Sequence, residues 1–183
     1  MISIENLEKD LKANNLKSIY LLYGEETFLL DSCVKKIKNL FGELVKGINY
    51  IEIDDTNLGE LIQDIETPAF GFDKKLIIVK NTELFKREVK RKGASFVNLR
   101  DKINDYIKEN YDVIKDTVIL VFIEESVDKG KLLNTMEQIG ATTCNFEEQS
   151  LATIIARLKA ICKAYKVNVD DNTIRYLTEA VRT

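Results

Sequence analysis

Ser18-Ile-Tyr-Leu-Leu-Tyr-Gly24 decides the fold, because it is apolar at consecutive positions rather than at alternate ones. A strand with apolar side chains on both faces is typical of a parallel sheet that helices cover on each side. Glu25 and Glu26 follow directly, and carboxylates are favourable at the positive end of a helix dipole. An apolar stripe that begins at Leu30 and Val34 then indicates an amphipathic helix. The segment therefore predicts a strand, a turn and a helix in direct succession.

The same alternation of strand and helix continues to about residue 147. Four further apolar runs predict strands, and amphipathic stretches between them predict helices. The additional strands are predicted over residues 49–54, 75–80, 117–123 and 141–146. Strands that alternate with helices are joined by right-handed crossovers in a parallel sheet. We therefore predict an α/β fold with a five-stranded, mostly parallel sheet and helices on both faces.

The pattern changes beyond Glu147, where helical periodicity continues without another strand. Apolar residues at helical spacing run through residues 151–165, and Asp170 is a suitable N-cap for a second helix. We therefore predict an α/β domain over residues 1–147 and a partial helical domain over residues 148–183. Because two helices bury little apolar surface, we expect this helical part to be a truncated piece of a larger domain.

The composition of the 183-residue chain excludes several classes of function. The chain has no histidine, which removes serine–histidine, cysteine–histidine and histidine–metal chemistry. No run approaches the roughly 20 apolar residues that a membrane-spanning helix requires. Cys33, Cys144 and Cys162 lack metal-binding or redox spacing, so we expect free, buried thiols in a reducing cytoplasm. With 27 basic and 30 acidic residues, the formal charge is −3.

The glycine after the first strand raises the question of a phosphate-binding loop. Such a loop needs the pattern GxxxxGK[ST], in which backbone N–H groups and the lysine contact the phosphates. Counting from Gly24, Leu29 stands at the position of the second glycine. Leu30 stands at the position of the lysine, and Asp31 at that of the hydroxyl residue. Because Glu25 also places a negative charge in the loop, we expect a degenerate loop without ATP hydrolysis and without a cofactor.

Carboxylate pairs follow three of the predicted strands, at the edge of an α/β sheet where ligands bind. The pairs are Glu25/Glu26, Asp54/Asp55 and Glu124/Glu125. Clustered carboxylates can hold Mg²⁺, which makes a magnesium-dependent phosphate-handling enzyme the alternative function. The other interpretation is that they are helix-cap and loop residues. A receiver-type regulatory domain is a third alternative, but the third strand ends in Lys80 and Asn81 where that domain needs an aspartate.

The chain is electrically polarised despite its small net charge. Residues 51–66 carry six acidic residues and no basic one, whereas residues 86–102 are strongly basic. The basic residues of this stretch are Lys86, Arg87, Lys90, Arg91, Lys92, Arg100 and Lys102. Such a stretch binds nucleic-acid phosphates without sequence specificity, and Lys90, Arg91 and Lys92 are candidate DNA contacts. The alternative is a solvated face beside a loop.

A loop before the third strand carries two aromatic residues around a glycine. Its sequence is Pro68-Ala-Phe-Gly-Phe72, and its aromatic residues follow neither strand nor helix periodicity. Aromatic side chains that cannot all turn inward are candidate anchors for a pocket on a partner. The alternative is that one or both cover the core of the sheet. The loop is therefore a candidate protein-docking site.

Three motifs of the sequence occur in the same order as in one known protein family. They are Ile19-Tyr-Leu-Leu-Tyr-Gly-Glu-Glu-Thr-Phe-Leu-Leu30, then Thr67-Pro-Ala-Phe-Gly with Lys75-Leu-Ile-Ile-Val-Lys-Asn81, and the strand from Thr117 to Ile123. In this order they resemble the delta subunit of the bacterial DNA polymerase III clamp loader, through nearly the whole chain. The resemblance implies an AAA+-like domain that lacks a functional ATP site, followed by part of a helical lid domain. It also implies that a C-terminal collar domain is absent.

The resemblance implies a mechanical role in DNA replication without intrinsic catalysis. Family members bind the ring-shaped sliding clamp and hold it open while sister subunits hydrolyse ATP. The implied partners are the clamp, the ATPase and delta-prime subunits and, indirectly, primer-template DNA, all within a cytoplasmic nucleotidyltransferase complex and without a membrane or metal. Members insert a hydrophobic pair into the clamp. The matching positions are Ala69 and Phe70, with Phe72 as a substitute for the small Ala69.

Overall fold

Five parallel strands form a sheet in the computed structural model, which describes residues 1–87 and 93–181. The strands are β1 (Ile19–Tyr23), β2 (Tyr50–Ile53), β3 (Lys75–Lys80), β4 (Val118–Glu124) and β5 (Thr142–Asn145). They lie in the order β2-β3-β4-β1-β5. The predicted five-stranded α/β fold is confirmed, and every strand pair is parallel.

Helices cover both faces of this sheet. They are α1 (Ile4–Lys12), α2 (Thr27–Phe41), α3 (Leu61–Glu66), which follows a 3₁₀ turn (Leu58–Glu60), α4 (Gly93–Glu109), α5 (Tyr111–Thr117) and α6 (Lys131–Gln138). The helices α1 and α2 pack on one face, and α3 to α6 pack on the other. Within the described part of the chain, every helix is too short or too polar to cross a bilayer.

The strands are apolar at consecutive positions because each strand contributes to two cores. Leu21 and its neighbour Phe122 enter the core beneath α3 to α6. Leu22 and Val121 enter the core beneath α1 and α2. All seven residues of β4 are buried, as a central strand with two covered faces requires.

Two of the three cysteines are buried, as the sequence predicted. Cys33 and Cys144 lie in the core beneath α1 and α2, whereas Cys162 is partly exposed, and none of the three forms a disulfide bond. Burial raises the pKa of Cys144 to about 12. This thiol is therefore protonated at neutral pH and unreactive.

One helix, α5, was not predicted from the sequence. The carbonyl oxygen of Asn110 accepts hydrogen bonds from the N–H groups of Val113 and Ile114, at 3.1 and 3.0 Å. Ile114 is completely buried and anchors the helix, while its charged neighbours conceal any apolar periodicity. The hydroxyl of Thr117 donates to the carbonyl oxygen of Val113 at 2.8 Å. Thr117 therefore ends the helix, and β4 begins at Val118 rather than at Thr117.

The chain divides after Phe146 into two units, Met1–Phe146 and Glu147–Thr183. The second unit contains α7 (Leu151–Ala164) and α8 (Asp171–Val181). Ser150 caps α7 by accepting the N–H of Thr153 at 3.2 Å. Asp170 caps α8 by accepting the N–H of Thr173 at 2.9 Å. Because α7 has no buried residue, this pair of helices has only a small core of its own.

Candidate functional site

Residues 67–74 join α3 to β3 and form a turn at the amino-terminal edge of the sheet, which we call the docking turn. The N–H of Phe72 donates to the carbonyl oxygen of Ala69 at 2.9 Å, which closes the turn around Phe70 and Gly71. Gly71 has φ of +84°, a conformation that glycine adopts without steric cost. The side chain of Phe70 is displayed at the tip of this turn, and 75% of its surface is exposed.

The three predicted anchor residues have different environments. Phe70 is exposed, whereas Ala69 and Phe72 are each partly buried. Phe72 lies in a groove of about 430 Å³ that Leu40 and Phe41 of its own domain also line. Phe70 is therefore the side chain of the trio that is most accessible to a partner.

A buried lysine holds the base of the docking turn. Lys75, the first residue of β3, is only 3% exposed. Its ammonium group donates to the carbonyl oxygens of Asp64 and Thr67, each at 2.7 Å. These carbonyls lie at the carboxyl end of α3, where a cation also complements the helix dipole. Burial lowers the pKa of Lys75, while the carboxylate of Asp64 opposes this shift. Lys75 therefore fixes the end of α3 to β3 and sets where the turn leaves the sheet.

The loop after β1, which the sequence identifies as a degenerate phosphate loop, is filled by the protein's own backbone. The N–H of Glu26 donates to the carbonyl oxygen of Phe146 at 3.0 Å, and the N–H of Phe146 donates to Tyr23 at 2.6 Å. Gly24 has φ of +128°, and a Cβ atom there would lie 2.7 Å from the carbonyl carbon of Phe146. Only glycine fits, because the chain passes directly over this residue. A phosphate-binding loop donates backbone N–H groups to its ligand. Here the N–H of Glu26 is already hydrogen-bonded within the protein, to the carbonyl oxygen of Phe146.

The remaining positions of this loop carry no positive charge. Leu30, at the position of the phosphate-binding lysine, is buried in the core beneath α1 and α2. Glu25 and Asp31 are exposed. Phe28, in the first turn of α2, is 77% exposed and is the counterpart of Phe70 at the opposite edge of the sheet. Residues 24–31 therefore present carboxylates and an aromatic ring to solvent, a poor environment for phosphates.

Glu124 is a buried carboxylate at the end of β4 that holds the segment after β3. One of its oxygens accepts the N–H of Thr82 at 3.2 Å and the hydroxyl of Thr82 at 2.7 Å. The other oxygen accepts the N–H of Glu83 at 3.1 Å. Burial raises the pKa of Glu124, and the hydrogen bonds partly offset this rise. Both oxygens are engaged, so the carboxylate ties two loops together.

The other carboxylates of the alternative magnesium site have separate surroundings. Asp54 accepts the N–H and the hydroxyl of Thr56 at 2.8 and 2.6 Å, within its own loop. Asp55 and Glu125 are exposed. In residues 1–87 and 93–181, no three acidic or cysteine side chains form a group that could hold a metal ion. The geometry therefore favours the interpretation of these carboxylates as loop and cap residues.

The candidate DNA contacts Lys90, Arg91 and Lys92 lie outside the described residues. Other members of the basic stretch line a cleft of about 730 Å³ at the carboxyl ends of β3 and β4, which we call the basic cleft. Its basic lining residues are Lys86, Arg87, Arg100, Lys129 and Lys131. The last two were missed in the sequence, because they lie far along the chain from residues 86–102.

Solved structures of other proteins share this fold. The Bacillus subtilis DNA clamp loader delta protein matches with a TM-score of 0.72 and 22% identity, over 95% of this chain and 51% of that chain. The replication initiator DnaA bound to AMPPCP and single-stranded DNA matches with a TM-score of 0.52 and 14% identity, over 96% of this chain and 54% of that chain. At these identities, the likeness shows the fold alone.

Sequence comparison shows the family. DNA polymerase III subunit delta of Bacillus subtilis (strain 168) is 33% identical over 86 residues, which are 45% of this chain and 25% of that protein. This chain thus spans about half of the similar solved structure, and its match covers a quarter of the curated relative. The family model described as "DNA polymerase III, delta subunit" matches residues 20–149. The chain therefore belongs to the family of DNA polymerase III delta subunits.

Proposed function

We propose that this chain is the part of a clamp-loader delta subunit that docks on the sliding clamp and opens it. The exposure of Phe70 at the tip of the docking turn is the observation that carries the proposal. Burying a phenylalanine side chain contributes about 1.5–3 kcal/mol, which makes Phe70 a suitable anchor for an apolar pocket. Lys75 holds the base of the turn, so that Phe70 is presented in a defined direction. Ala69 and Phe72 flank the anchor and complete the contact.

In this proposal the subunit opens the ring without hydrolysing ATP itself. The bond between the N–H of Glu26 and Phe146, and the burial of Leu30, support this part of the mechanism. The chain is then an accessory subunit of the DNA polymerase III complex that needs no cofactor of its own. Its partners are the sliding clamp and, in the same complex, the ATPase and delta-prime subunits. Clamp opening takes place in the cytoplasm, where the chromosome is replicated.

Ring opening follows from a difference in affinity. A protein that binds the open clamp more tightly than the closed clamp shifts their equilibrium by that difference, with no chemical step. Moving the ratio of open to closed rings from 1:99 to 99:1 needs a difference of about 5.5 kcal/mol. One phenylalanine contributes about half of this at most. Phe70 therefore anchors the complex, and the wider docking surface has to supply the rest.

DNA contact is a further part of the proposed role. Lys90, Arg91 and Lys92 give the chain a weak, salt-dependent affinity for the phosphates of primer-template DNA. Reversing all three charges should lower DNA binding by the assembled loader. Unchanged DNA binding would remove these residues from the proposal.

The central experiment compares two exposed phenylalanines. Phe70→Ala should weaken binding to the organism's own sliding clamp by about 10- to 150-fold, because it removes about 1.5–3 kcal/mol of burial. Phe28→Ala deletes a ring of similar exposure at the other edge of the sheet and should leave the affinity unchanged. Isothermal calorimetry gives the affinities, and co-elution from a sizing column gives an independent readout.

Both variants should unfold at the same urea concentration as the parent chain, since neither ring is part of a core. Unchanged clamp affinity of Phe70→Ala would refute the docking proposal. Equal losses in the two variants would also refute it, because they would indicate a nonspecific apolar effect.

A further inference from the structure

The groove that contains Phe72 lies beside the docking turn, at the amino-terminal edge of the sheet, and we call it the apolar groove. Its volume is about 430 Å³. Its walls come from the segments that precede β1, β2 and β3, because the amino ends of parallel strands meet at one edge. The apolar residues of the lining are Leu16, Leu40, Phe41, Phe72 and Ile119.

The shape of the apolar groove is fixed before any partner binds. Asn49 is completely buried, and its side-chain oxygen accepts the N–H of Val45 at 2.6 Å. The side-chain amide of Asn49 donates to the carbonyl oxygen of Glu43 at 2.9 Å. These bonds hold the loop between α2 and β2, which forms one wall. Ile119 is a buried member of the core beneath α1 and α2. Because the groove is preformed, a ligand that enters it pays little ordering entropy.

Apolar surface remains accessible in this groove. Leu16, Leu40 and Phe41 pack against the core beneath α1 and α2, but each of them is only partly buried. Phe72 belongs to the docking turn and is also only partly buried. Removing such surface from water is favourable roughly in proportion to its area. The groove therefore offers binding energy that the folded domain does not use itself.

The rim of the apolar groove is acidic. Glu43 and Asp73 are exposed there, and neither carboxylate forms an ion pair with a residue that the structure describes. Lys74 also lines the groove, but its ammonium group donates to the carbonyl oxygen of Lys115 at 3.0 Å. Charged groups at the rim of an interface favour partners of complementary charge. The groove therefore matches an apolar side chain that has a basic neighbour.

The apolar groove and the exposed anchor are adjacent. Phe72 lines the groove, and Phe70 stands two residues before it at the exposed tip of the turn. Two residues of extended chain span at most about 7 Å, and the turn at Gly71 shortens this separation. A partner whose pocket encloses Phe70 therefore lies over the groove as well. Phe70 alone also supplies only part of the affinity difference that ring opening requires, so the contact has to be wider than this one ring.

We propose that the apolar groove is a second docking site for the sliding clamp and receives an apolar side chain of the clamp that has a lysine or arginine beside it. The proposal rests on the proposed function for the identity of the partner. The new contact runs in the opposite direction from the first, because Phe70 enters the clamp whereas the groove receives a side chain from it. Two contacts of opposite direction fix the orientation of the clamp, which a single apolar anchor leaves free to rotate.

Tryptophan emission tests whether the clamp covers the groove. The 183-residue chain has no tryptophan, so Phe41→Trp places a single reporter in the lining. The emission of the clamp is measured in a mixture with the parent chain and subtracted. Saturating clamp should shift the emission of this variant to shorter wavelength and protect it from quenching by acrylamide. Phe28→Trp, at the opposite edge of the sheet, is the control and should show neither change.

Charge reversal tests the rim of the groove. Glu43→Lys/Asp73→Lys should weaken clamp binding about tenfold at about 50 mM NaCl, and the loss should shrink at about 500 mM because salt screens exposed charges. Both residues are exposed, so the urea midpoint should stay that of the parent chain. The matched control, Glu25→Lys/Asp31→Lys, changes the net charge identically at exposed sites of the opposite edge. Its affinity for the clamp should change less than about twofold.

Emission of Phe41→Trp that the clamp leaves unchanged would overturn the proposal, and so would equal losses of affinity in the rim and control variants. A shift that grows with the concentration of Phe41→Trp in the absence of clamp would also overturn it, by identifying a second copy of the chain as the occupant. Phe70→Ala tests the docking turn separately. A large loss in Phe70→Ala with parent affinity in Glu43→Lys/Asp73→Lys would retain the docking turn and reject the groove. Absence of clamp binding by the parent chain would reject both.

Discussion

The two edges of the sheet differ in what they offer to other molecules. At the amino edge, the docking turn displays Phe70, a residue that is 75% exposed. At the carboxyl edge, the positions that usually hold a nucleotide in α/β folds are bonded internally. The N–H of Glu26 is bonded to Phe146, and the carboxylate of Glu124 is bonded to Thr82 and Glu83. The edge where α/β folds usually bind ligands is therefore partly occupied by internal hydrogen bonds, whereas the opposite edge exposes a large apolar side chain.

The largest effect should come from filling the space at Gly24. Gly24→Ala combines a strained backbone at φ +128° with an overlap against the backbone of Phe146. The free energy of unfolding should fall by about 3 kcal/mol or more, as measured by urea titration with circular dichroism.

Two other glycines separate the causes of this effect. Gly42→Ala meets no atom within 4 Å but has φ of +100°, so it should cost about 1–2 kcal/mol from strain alone. Gly59→Ala has neither problem and should change the stability by less than about 0.5 kcal/mol. If Gly24→Ala lowers the free energy of unfolding no more than Gly42→Ala does, the overlap with the backbone of Phe146 has no energetic effect.

A smaller effect should follow from releasing the base of the docking turn. Lys75→Met removes two hydrogen bonds to the end of α3 while keeping the volume of the side chain. We expect clamp affinity to fall about tenfold, which is about 1.4 kcal/mol, because Phe70 is no longer held in one direction. Lys74→Met is the matched control, since Lys74 donates to Lys115 rather than to α3. Calorimetry with the sliding clamp measures both variants.

A double variant distinguishes positioning from a general structural role. If Lys75 acts through the anchor, Lys75→Met should add no further loss to Phe70→Ala. Additive losses of clamp affinity would instead show that Lys75 acts independently of the anchor.

The smallest effect should be a pH dependence at the carboxyl edge. Burial raises the pKa of Glu124 above its ordinary value of 4.5, so the folded state favours the protonated form. This contribution to stability is full below pH 4.5 and is lost as the pH rises through the raised pKa. The free energy of unfolding of the parent chain relative to Glu124→Gln should therefore fall as the pH rises above 4.5. A stability of the parent chain relative to Glu124→Gln that rises with pH would mean that the hydrogen bonds outweigh burial.

Much of the fold could be predicted because its cause is local. Residues 18–24 and 75–80 are apolar at consecutive positions, and this property follows directly from a strand that is covered on both faces. The helix α5 was missed because one buried residue, Ile114, anchors it among charged neighbours. A helix with a single buried residue has no apolar periodicity, so the sequence pattern does not predict it.

The site was only partly predictable. The composition of the docking turn marked it as a candidate, but the sequence could not say which phenylalanine faces solvent. That choice depends on the conformation of Gly71 and on the groove that receives Phe72. Similarly, Gly24 was recognised as a loop glycine, whereas the residue that crosses it, Phe146, is distant in sequence. The lysines of the basic cleft at 129 and 131 were missed for the same reason.

The crossing of Phe146 over Gly24 has a consequence for protein engineering. The carbonyl oxygen of Phe146 carries a partial negative charge and accepts a loop amide, as a phosphate oxygen would. The protein thus contains a built-in substitute for the anion. Grafting glycine, lysine and serine onto residues 29–31 would restore a motif and leave this substitute in position. Regaining nucleotide affinity would require rerouting the main chain after β5, a far larger step than three substitutions.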